Sequence, residues 1–471
     1  MIAVAGKRVL VMGLGVHGGG LGVARWLLRH GAEVTVTDLA SAEMLAEPKA
    51  QLDAFAAEIG KQVHYTLGEH RAEDIQAADL LVVNPAVRPD SPWLALARSH
   101  GVSIETEMTL FFRACPGPIL GVTGTKGKTT TTLMLAAMVR QRYPDAVVAG
   151  NLRISALEAL AQIGPQTPVV LELSSFQLER LGEAGLSPNY ALLTNLGIDH
   201  LNWHGSFAAY ANAKRQIMAH QDEDEIAVLP PEQAKTWGRG RCGIISFSLS
   251  DPTTDATVDA DGYLRYRDVI LAHRSDLRLP GTHNLTNALA AATLAYHFGI
   301  EPQAIVTALR RMTAVEHRLE LVATIDGVRY INDTTATNPS ATSAALTTVA
   351  GPIVLIAGGA DKDLDLAYLA DAIAQGAAAV VLLQGSATPR LQTLLSQRAP
   401  QLPLAGPFAD LSTAVATARS LAQPGGAILL SPGCASFGMF WNEFHRGEAF
   451  RQIVRELAGG RAGEQQYDPS T

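Results

Sequence analysis

Residues 119–132 read Ile-Leu-Gly-Val-Thr-Gly-Thr-Lys-Gly-Lys-Thr-Thr-Thr-Thr, and the apolar stretch from Leu133 to Val139 follows. The run Ile119, Leu120, Val122 reads as a buried strand, the spaced glycines as a tight turn, and the remainder as the start of a helix. Glycine lets successive backbone N–H groups curl around an anion with no Cβ in the way. A helix N-terminus adds partial positive charge. Gly124, Thr125, Lys126 and Gly127 would then cradle phosphate, and Lys128 would reach the β/γ-phosphates. The Thr129 hydroxyl would take Mg²⁺, with Thr130 in the same nucleotide-binding set. The strict G-x-x-x-x-G-K-[ST] spacing is not kept, because Val122 stands five residues before Gly127. The flanking strand, the helix, the Gly-Lys-Thr and the threonine run agree on a nucleoside triphosphate site rather than a plain strand–loop–helix corner. The phosphate acceptor has to be found elsewhere in the chain.

Upstream, Val9 to Met12 is a buried-strand pattern, followed by Gly13-Leu14-Gly15-Val16-His17-Gly18-Gly19-Gly20 and an amphipathic helix from Val23 to His30. Val34 to Asp38 is the next strand and ends in an acid, where a carboxylate would accept a ribose hydroxyl. This is a βαβ nucleotide-binding unit. Leu80 to Val83 is a further strand, closed by the turn Asn84-Pro85-Ala86. The cluster Cys115-Pro116-Gly117-Pro118 marks a boundary. Beyond the phosphate loop come strands at Val169 to Leu173 and Ala191 to Asn195. Residues 221–276, richer in charge and turns, read as a small sheet excursion. Strands at Val328 to Ile331, Pro352 to Ala357, Ala379 to Leu383 and Ala427 to Leu430 alternate with helices near Leu366 to Ala374 and Leu411 to Ala422, a second doubly wound unit. The expected organisation is therefore α/β with three domains: a Rossmann-like domain (1–115), a central P-loop domain with a parallel-rich sheet (116–317) and a Rossmann-like domain (318–459). A flexible polar tail (460–471) follows.

Composition agrees with a globular chain of 471 residues, 47% hydrophobic and 17% charged, too long for one ordinary core. The net charge of −8 argues against general nucleic-acid binding or a polybasic membrane role. Cys115, Cys242 and Cys434 are odd in number and far apart, which suits reduced thiols in a cytoplasm rather than a disulfide or metal framework. No segment has the length and lack of charge of a membrane span.

Five further clusters fall at strand ends, the expected ligand edge of such sheets. Glu172 ends a strand in Leu171-Glu172-Leu173-Ser174-Ser175-Phe176-Gln177, where an acid can hold Mg²⁺ beside a phosphate loop. Asp199-His200 follows the next strand, with Lys214 on a helix from Phe207 to Met218. Asp333-Thr334-Thr335-Ala336-Thr337-Asn338, Gly358 to Lys362 and Ser431 to Ser436 end strands of the last unit.

Taken in order, Gly-Val-Thr-Gly-Thr-Lys-Gly-Lys-Thr-Thr (121–130), Leu-Glu-Leu-Ser-Ser-Phe-Gln-Leu-Glu (171–179), Thr-Asn-Leu-Gly-Ile-Asp-His-Leu (194–201), Gly-Thr-His-Asn-Leu-Thr-Asn (281–287), Glu-His-Arg (316–318), Ile-Asn-Asp-Thr-Thr-Ala-Thr-Asn-Pro (331–339) and Leu-Ser-Pro-Gly-Cys-Ala-Ser-Phe (430–437) are specific as a set. Over almost its whole length the chain resembles the Mur ligases, and among them the members that add glutamate to UDP-N-acetylmuramoyl-L-alanine. The resemblance implies that Gly15, Val16, His17 and Asp38 lie near the uridine, with Asn84 close by, and that Asn151 touches the diphosphate or sugar. It gives Lys128 and Thr129 to ATP, Glu172 to one Mg²⁺, and His200 with Lys214 to a second, Lys214 as N6-carboxylysine. Asn287 would contact the adenine, Arg318 and Asp333 the nucleotide, Ser174 and Gln177 the substrate. Thr337, Lys362, Ser436 and Phe437 would hold the glutamate. The implied partners are small molecules, with no nucleic acid, and a cytoplasmic monomer is expected. Thr335 stands where a lysine is common in that branch. L-glutamate as the amino acid, and a folylpolyglutamate synthase-like ligase, are the alternative readings.

Overall fold

The computed structural model describes residues 4–15, 19–85, 87–151, 155–237, 241–312, 316–361 and 364–459. Val16, His17, Lys362 and the tail 460–471 lie outside the described residues. The chain forms two compact units, Met1–Met312 and Thr313–Thr471.

The first unit opens with strands β1 (Arg8–Met12), β2 (Glu33–Asp38), β3 (Val63–Leu67), β4 (Leu80–Val83) and β5 (Ser103–Glu105). They pair in parallel in the order β3-β2-β1-β4-β5. In β1, Val9 and Val11 pack into one core while Leu10 and Met12 pack into another, so both faces are buried and the strand reads as an unbroken apolar run. The strand order reverses between β1 and β4, which opens a crevice at their carboxyl ends. Gly13, Gly15 and Asn84 stand there. The first helix spans Gly19–Arg29, starting inside the glycine run rather than at Val23.

A second sheet in the same unit holds β6 (Ile119–Thr123), β7 (Val147–Gly150), β8 (Val169–Glu172), β9 (Tyr190–Leu193), β10 (Ile226–Leu229) and β11 (Gly243–Ser246), all parallel, in the order β11-β10-β9-β6-β8-β7. Here the expectation for 221–276 is corrected. Ala227, Val228 and Leu229 are fully buried, so β10 and β11 extend the central sheet. A separate antiparallel sheet is made only by β12 (Ala256–Val258), β13 (Tyr263–Tyr266) and β14 (Val269–His273). Among the described residues most charges of this region lie between the strands, while Arg265 is on β13 and Glu232 and Lys235 are on the helix Pro231–Trp237. Over β6 packs the helix Lys128–Arg140, and beside it the helix Thr282–His297, whose buried Ala288, Ala291, Ala292 and Ala295 allow close approach.

The second unit contains β15 (Glu320–Ile325), β16 (Val328–Asn332), β17 (Ile353–Ala357), β18 (Ala379–Leu383), β19 (Leu404–Phe408) and β20 (Ala427–Leu430), in the order β15-β16-β20-β17-β18-β19. All pairs are parallel except the β15–β16 hairpin. Its turn, Asp326-Gly327, has φ of 53° and 76°, as a two-residue loop of that kind requires. Because β20 sits between β16 and β17, the loops after Asn332, Ala357 and Leu430 emerge side by side. β15 and β19 went unread in the sequence: both are edge strands, and β19 carries a Gly-Pro that only an edge tolerates. Among the described residues no helix is long and apolar enough to cross a membrane.

Candidate active site

The phosphate loop is held open from one side. Gly124 (φ 153°) leaves no room for a side chain, since a Cβ there would lie 1.9 Å from Thr194 Oγ1. Thr194 Oγ1 and Asn195 Nδ2 donate to Lys126 O at 2.6 and 2.9 Å, and Lys126 N–H donates to Asn195 Oδ1 at 3.0 Å. Thr125 N–H donates to Asn195 O at 3.0 Å, and Gly197 N–H to Thr125 Oγ1 at 2.9 Å. The segment after β9 thus splints the loop after β6. Gly127 (φ 79°) caps the helix Lys128–Arg140, which places Thr129 and Thr130 in its first turn. Lys128 Nζ folds back to donate to Gly124 O (3.0 Å) and Thr125 O (3.2 Å).

Beside the loop, Glu172 ends β8 and is 2% exposed. Its Oε1 accepts from Asn151 Nδ2 at 2.8 Å, while Oε2 is buried with no hydrogen-bond partner. His200 follows β9 in a left-handed conformation (φ 51°), its ring edge-on to Phe176 at 5.0 Å. Burial, opposed by Asp199 and assisted by Lys128 and Lys214, lowers its pKa and favours the neutral imidazole. Lys214, on the helix Phe207–Arg215, is 2% exposed. Its Nζ lies 3.3 Å from Thr123 Oγ1 and 5.0 Å from the centroid of the Tyr210 ring. Burial, then Lys128, bring its pKa down to about 7, against the pull of Asp199 and Glu172. Lys128, Glu172, His200 and Lys214 therefore share one electrostatic environment at the carboxyl ends of β6, β8 and β9.

This donor set can be tested against a divalent cation. Among the described residues no three His, Cys, Asp or Glu side chains converge. The orphaned Glu172 oxygen and a neutral imidazole nonetheless fit a metal, with the Thr129 hydroxyl offered by the first turn of the helix Lys128–Arg140. Lys214 joins as a ligand only if its amine becomes an oxygen-bearing anion.

Other expected site residues have structural partners. Asn287 is buried and lies under the phosphate loop, its Oδ1 2.6 Å from where a Gly127 Cβ would be. Ser174 and Gln177 form a capping box on the helix Ser175–Glu183. In the first sheet, Asp38 Oδ2 accepts from Gly15 N–H at 3.1 Å, and the Asn84 Cβ would touch a side chain on Gly13. A cavity of about 370 Å³ bordered by Arg8, Glu33, Lys61 and His64 opens at the opposite, amino edge of this sheet and takes no part in the site.

In the second unit, Asp333 Oδ2 accepts from Ser431 Oγ at 2.7 Å and Oδ1 from Leu319 N–H at 3.2 Å. Burial pushes its carboxyl up to about 7, against Ser431, Leu319 and Arg318. Thr335 Oγ1 donates to His317 O at 2.9 Å. Ser436 is 3% exposed with its Oγ unpartnered, whereas Phe437 is exposed. Thr337 sits in the loop after β16. A carboxyl raised this way keeps a proton that the unfolded chain loses above about pH 4, so its stabilisation fades as pH rises through about 7. Asp333→Asn should therefore melt higher than the parent at about pH 8.5, with the difference shrinking as pH falls and vanishing only near about pH 4. Equal melting temperatures at both pH values would remove the buried neutral acid.

Several contributors escaped the sequence. Tyr210, whose OH lies 3.0 Å from Thr125 Oγ1, stands four residues before Lys214, and the i,i+4 spacing on one helix face was the available signal. Thr194 and Asn195 read in the sequence as a strand end and as the start of the 194–201 run, with no role given to either. Arg446 is fully buried and holds Thr334 through Nε to Oγ1 (3.0 Å) and Nη2 to O (2.9 Å), a contact 112 residues apart with no local signature.

Comparison with known proteins covers nearly the whole chain. Residues 7–106 match the N-terminal domain described as Mur ligase MurD-like, 122–295 the Mur ligase middle domain, and 317–434 the Mur ligase glutamate ligase domain. A UDP-N-acetylmuramoylalanine–D-glutamate ligase of Roseiflexus sp. (strain RS-1) is 53% identical, covering 96% of this chain and 99% of its own. The enzyme of the same name from Caldanaerobacter subterraneus subsp. tengcongensis is 36% identical, covering 96% and 98%. Among solved structures, the UDP-N-acetylmuramate–alanine ligase MurC of Thermotoga maritima superposes with a TM-score of 0.63 at 21% identity, covering 97% of this chain and all of its own. The phosphate loop, the strand-end cluster and the near full-length likeness to these relatives together place the chain in the Mur ligase family.

Proposed function

We propose that the chain is an ATP-dependent ligase that joins D-glutamate to UDP-N-acetylmuramoyl-L-alanine in peptidoglycan precursor synthesis. The observation that carries this reading is the convergence of Lys128, Glu172, His200 and Lys214 beside the splinted phosphate loop. The 53% identical relative bears the name of that activity. Residues 1–115 would take the UDP part through Gly15, Val16, His17, Asp38 and Asn84, with Asn151, Ser174 and Gln177 further along the same substrate. Residues 116–317 would take ATP through residues 124–130 and Asn287. Residues 318–459 would present Arg318 and Asp333 to the nucleotide, and Thr337, Lys362, Ser436 and Phe437 to glutamate. The three free cysteines suit a cytoplasmic enzyme.

The alanyl carboxylate attacks the γ-phosphorus of ATP, and ADP leaves as the acyl phosphate forms. The glutamate amine then attacks the activated carbonyl carbon, loses a proton, and phosphate departs to leave an amide. Lys128 releases its two loop carbonyls and turns its ammonium to the transferring phosphoryl group, where charge accumulates. Lys214 with a pKa of about 7 presents a substantial fraction of free amine; that amine can add to CO₂ and lose a proton, becoming a carbamate. Thr129, Glu172, His200 and carbamylated Lys214 would hold Mg²⁺. Bound there, the ions neutralise crowded phosphate oxygens.

The test is phosphate release from ATP with UDP-N-acetylmuramoyl-L-alanine and either enantiomer of glutamate. Release that needs the precursor and D-glutamate supports the reading. Release with L-glutamate alone would replace the enantiomer, and release with a folate acceptor would replace the enzyme class.

A further inference from the structure

Glu107 lies outside the phosphate-loop cluster. It opens the helix Glu107–Ala114, the last element before the Cys115-Pro116 boundary, yet its carboxylate reaches across to the next sheet's connections. Ser155 Oγ donates to Glu107 Oε1 at 2.6 Å, and the amides of Ala156 and Leu157 bond to the same carboxylate. Oε2 faces the helix Gly19–Arg29, 3.8 Å from where a Cβ on Gly19 would stand. Ser155 fits because Gly22 is bare: a Cβ there would lie 2.5 Å from Ser155 Oγ. Three segments thus meet at one carboxylate, which burial holds above its usual pKa. Ser155 occupies the N-cap position of Ala156–Ala159 without capping it through its side chain, so the acceptor for that turn comes from Glu107 instead.

The position of this joint matters more than its strength. Gly13 and Gly15 lead into the helix that starts at Gly19, and Asn151 stands four residues before Ser155. The two stretches assigned to the precursor therefore both run into the same carboxylate. We propose that Glu107 is a positioning residue that fixes the spacing of the Gly13–Gly15 turn and Asn151, and so the fit of the UDP-linked substrate along both. This rests on the precursor assignment above.

The experiment is steady-state kinetics of the full chain with ATP, UDP-N-acetylmuramoyl-L-alanine and D-glutamate, alongside thermal unfolding. Glu107→Ala and Ser155→Ala remove the bond from either side. Glu107→Gln keeps one acceptor oxygen. Gly22→Ala pushes Ser155 away with a residue that suits a helix better than glycine, so it carries the test even where Glu107→Ala fails to fold. The expected result is a precursor KM raised about tenfold in Glu107→Ala and Gly22→Ala, less in Glu107→Gln, with the ATP KM unchanged. The Glu107→Ala/Ser155→Ala double variant should be no worse than Glu107→Ala, because both act through one bond. Variants that keep the parental precursor KM, or that raise both KM values in step with lost melting temperature, overturn the proposal while leaving the functional reading intact. A parent that consumes no precursor overturns that reading and this proposal with it.

Discussion

Lys128→Ala lowers ATP-dependent phosphate release by about 10²–10³-fold or more, the usual effect of removing one preorganised charge donor from a transition state. The substitution is clean on structural grounds. Lys128 is the first residue of its helix, and alanine is a better helix former than lysine. The loop loses the two bonds from Lys128 Nζ to Gly124 O and Thr125 O but keeps those of Thr125 and Lys126 to Thr194, Asn195 and Gly197 in the segment after β9. The loss should therefore appear in kcat, with the melting temperature nearly unchanged. Turnover at the parental rate would remove Lys128 from the phosphate site.

Lys214→Ala is expected to be comparably damaging, and its remedy separates two explanations. The amine is buried against Tyr210 and Thr123 with a pKa of about 7. If the working form is a carbamate, what the variant lacks is an oxygen-bearing anion beside Glu172 and His200. Short carboxylates such as formate or acetate supply one and should restore part of the rate. The parent should also lose activity as pH falls through about 7, because the ammonium form cannot add CO₂. Full activity of Lys214→Ala without added carboxylate would exclude the lysine from the site.

Much of this arrangement was legible because local chemistry announces itself. The buried strands at Ala379–Leu383 and Ala427–Leu430 stand where their apolar runs put them, and the helix over the phosphate loop follows its glycines. What stayed hidden depends on distant partners or on an exposed face. β15 and β19 lie at sheet edges, where half-exposed residues dilute the pattern. Ser174 and Gln177, expected from the resemblance at the substrate, also form a capping box, a second role that their spacing of three announces. The splint from Thr194 and Asn195, the Arg446 clamp and the Glu107 joint each join residues far apart in the chain. No windowed pattern carries such information.

The central claim is that the phosphate goes onto a carboxylate rather than onto water. It is tested most directly with UDP-N-acetylmuramoyl-L-alanine carrying ¹⁸O in both oxygens of the alanyl carboxylate. Turnover with ATP and D-glutamate should deliver one labelled oxygen to each released phosphate and leave the other in the new amide carbonyl. Phosphate that carries no label and takes its oxygen from the solvent would contradict the account.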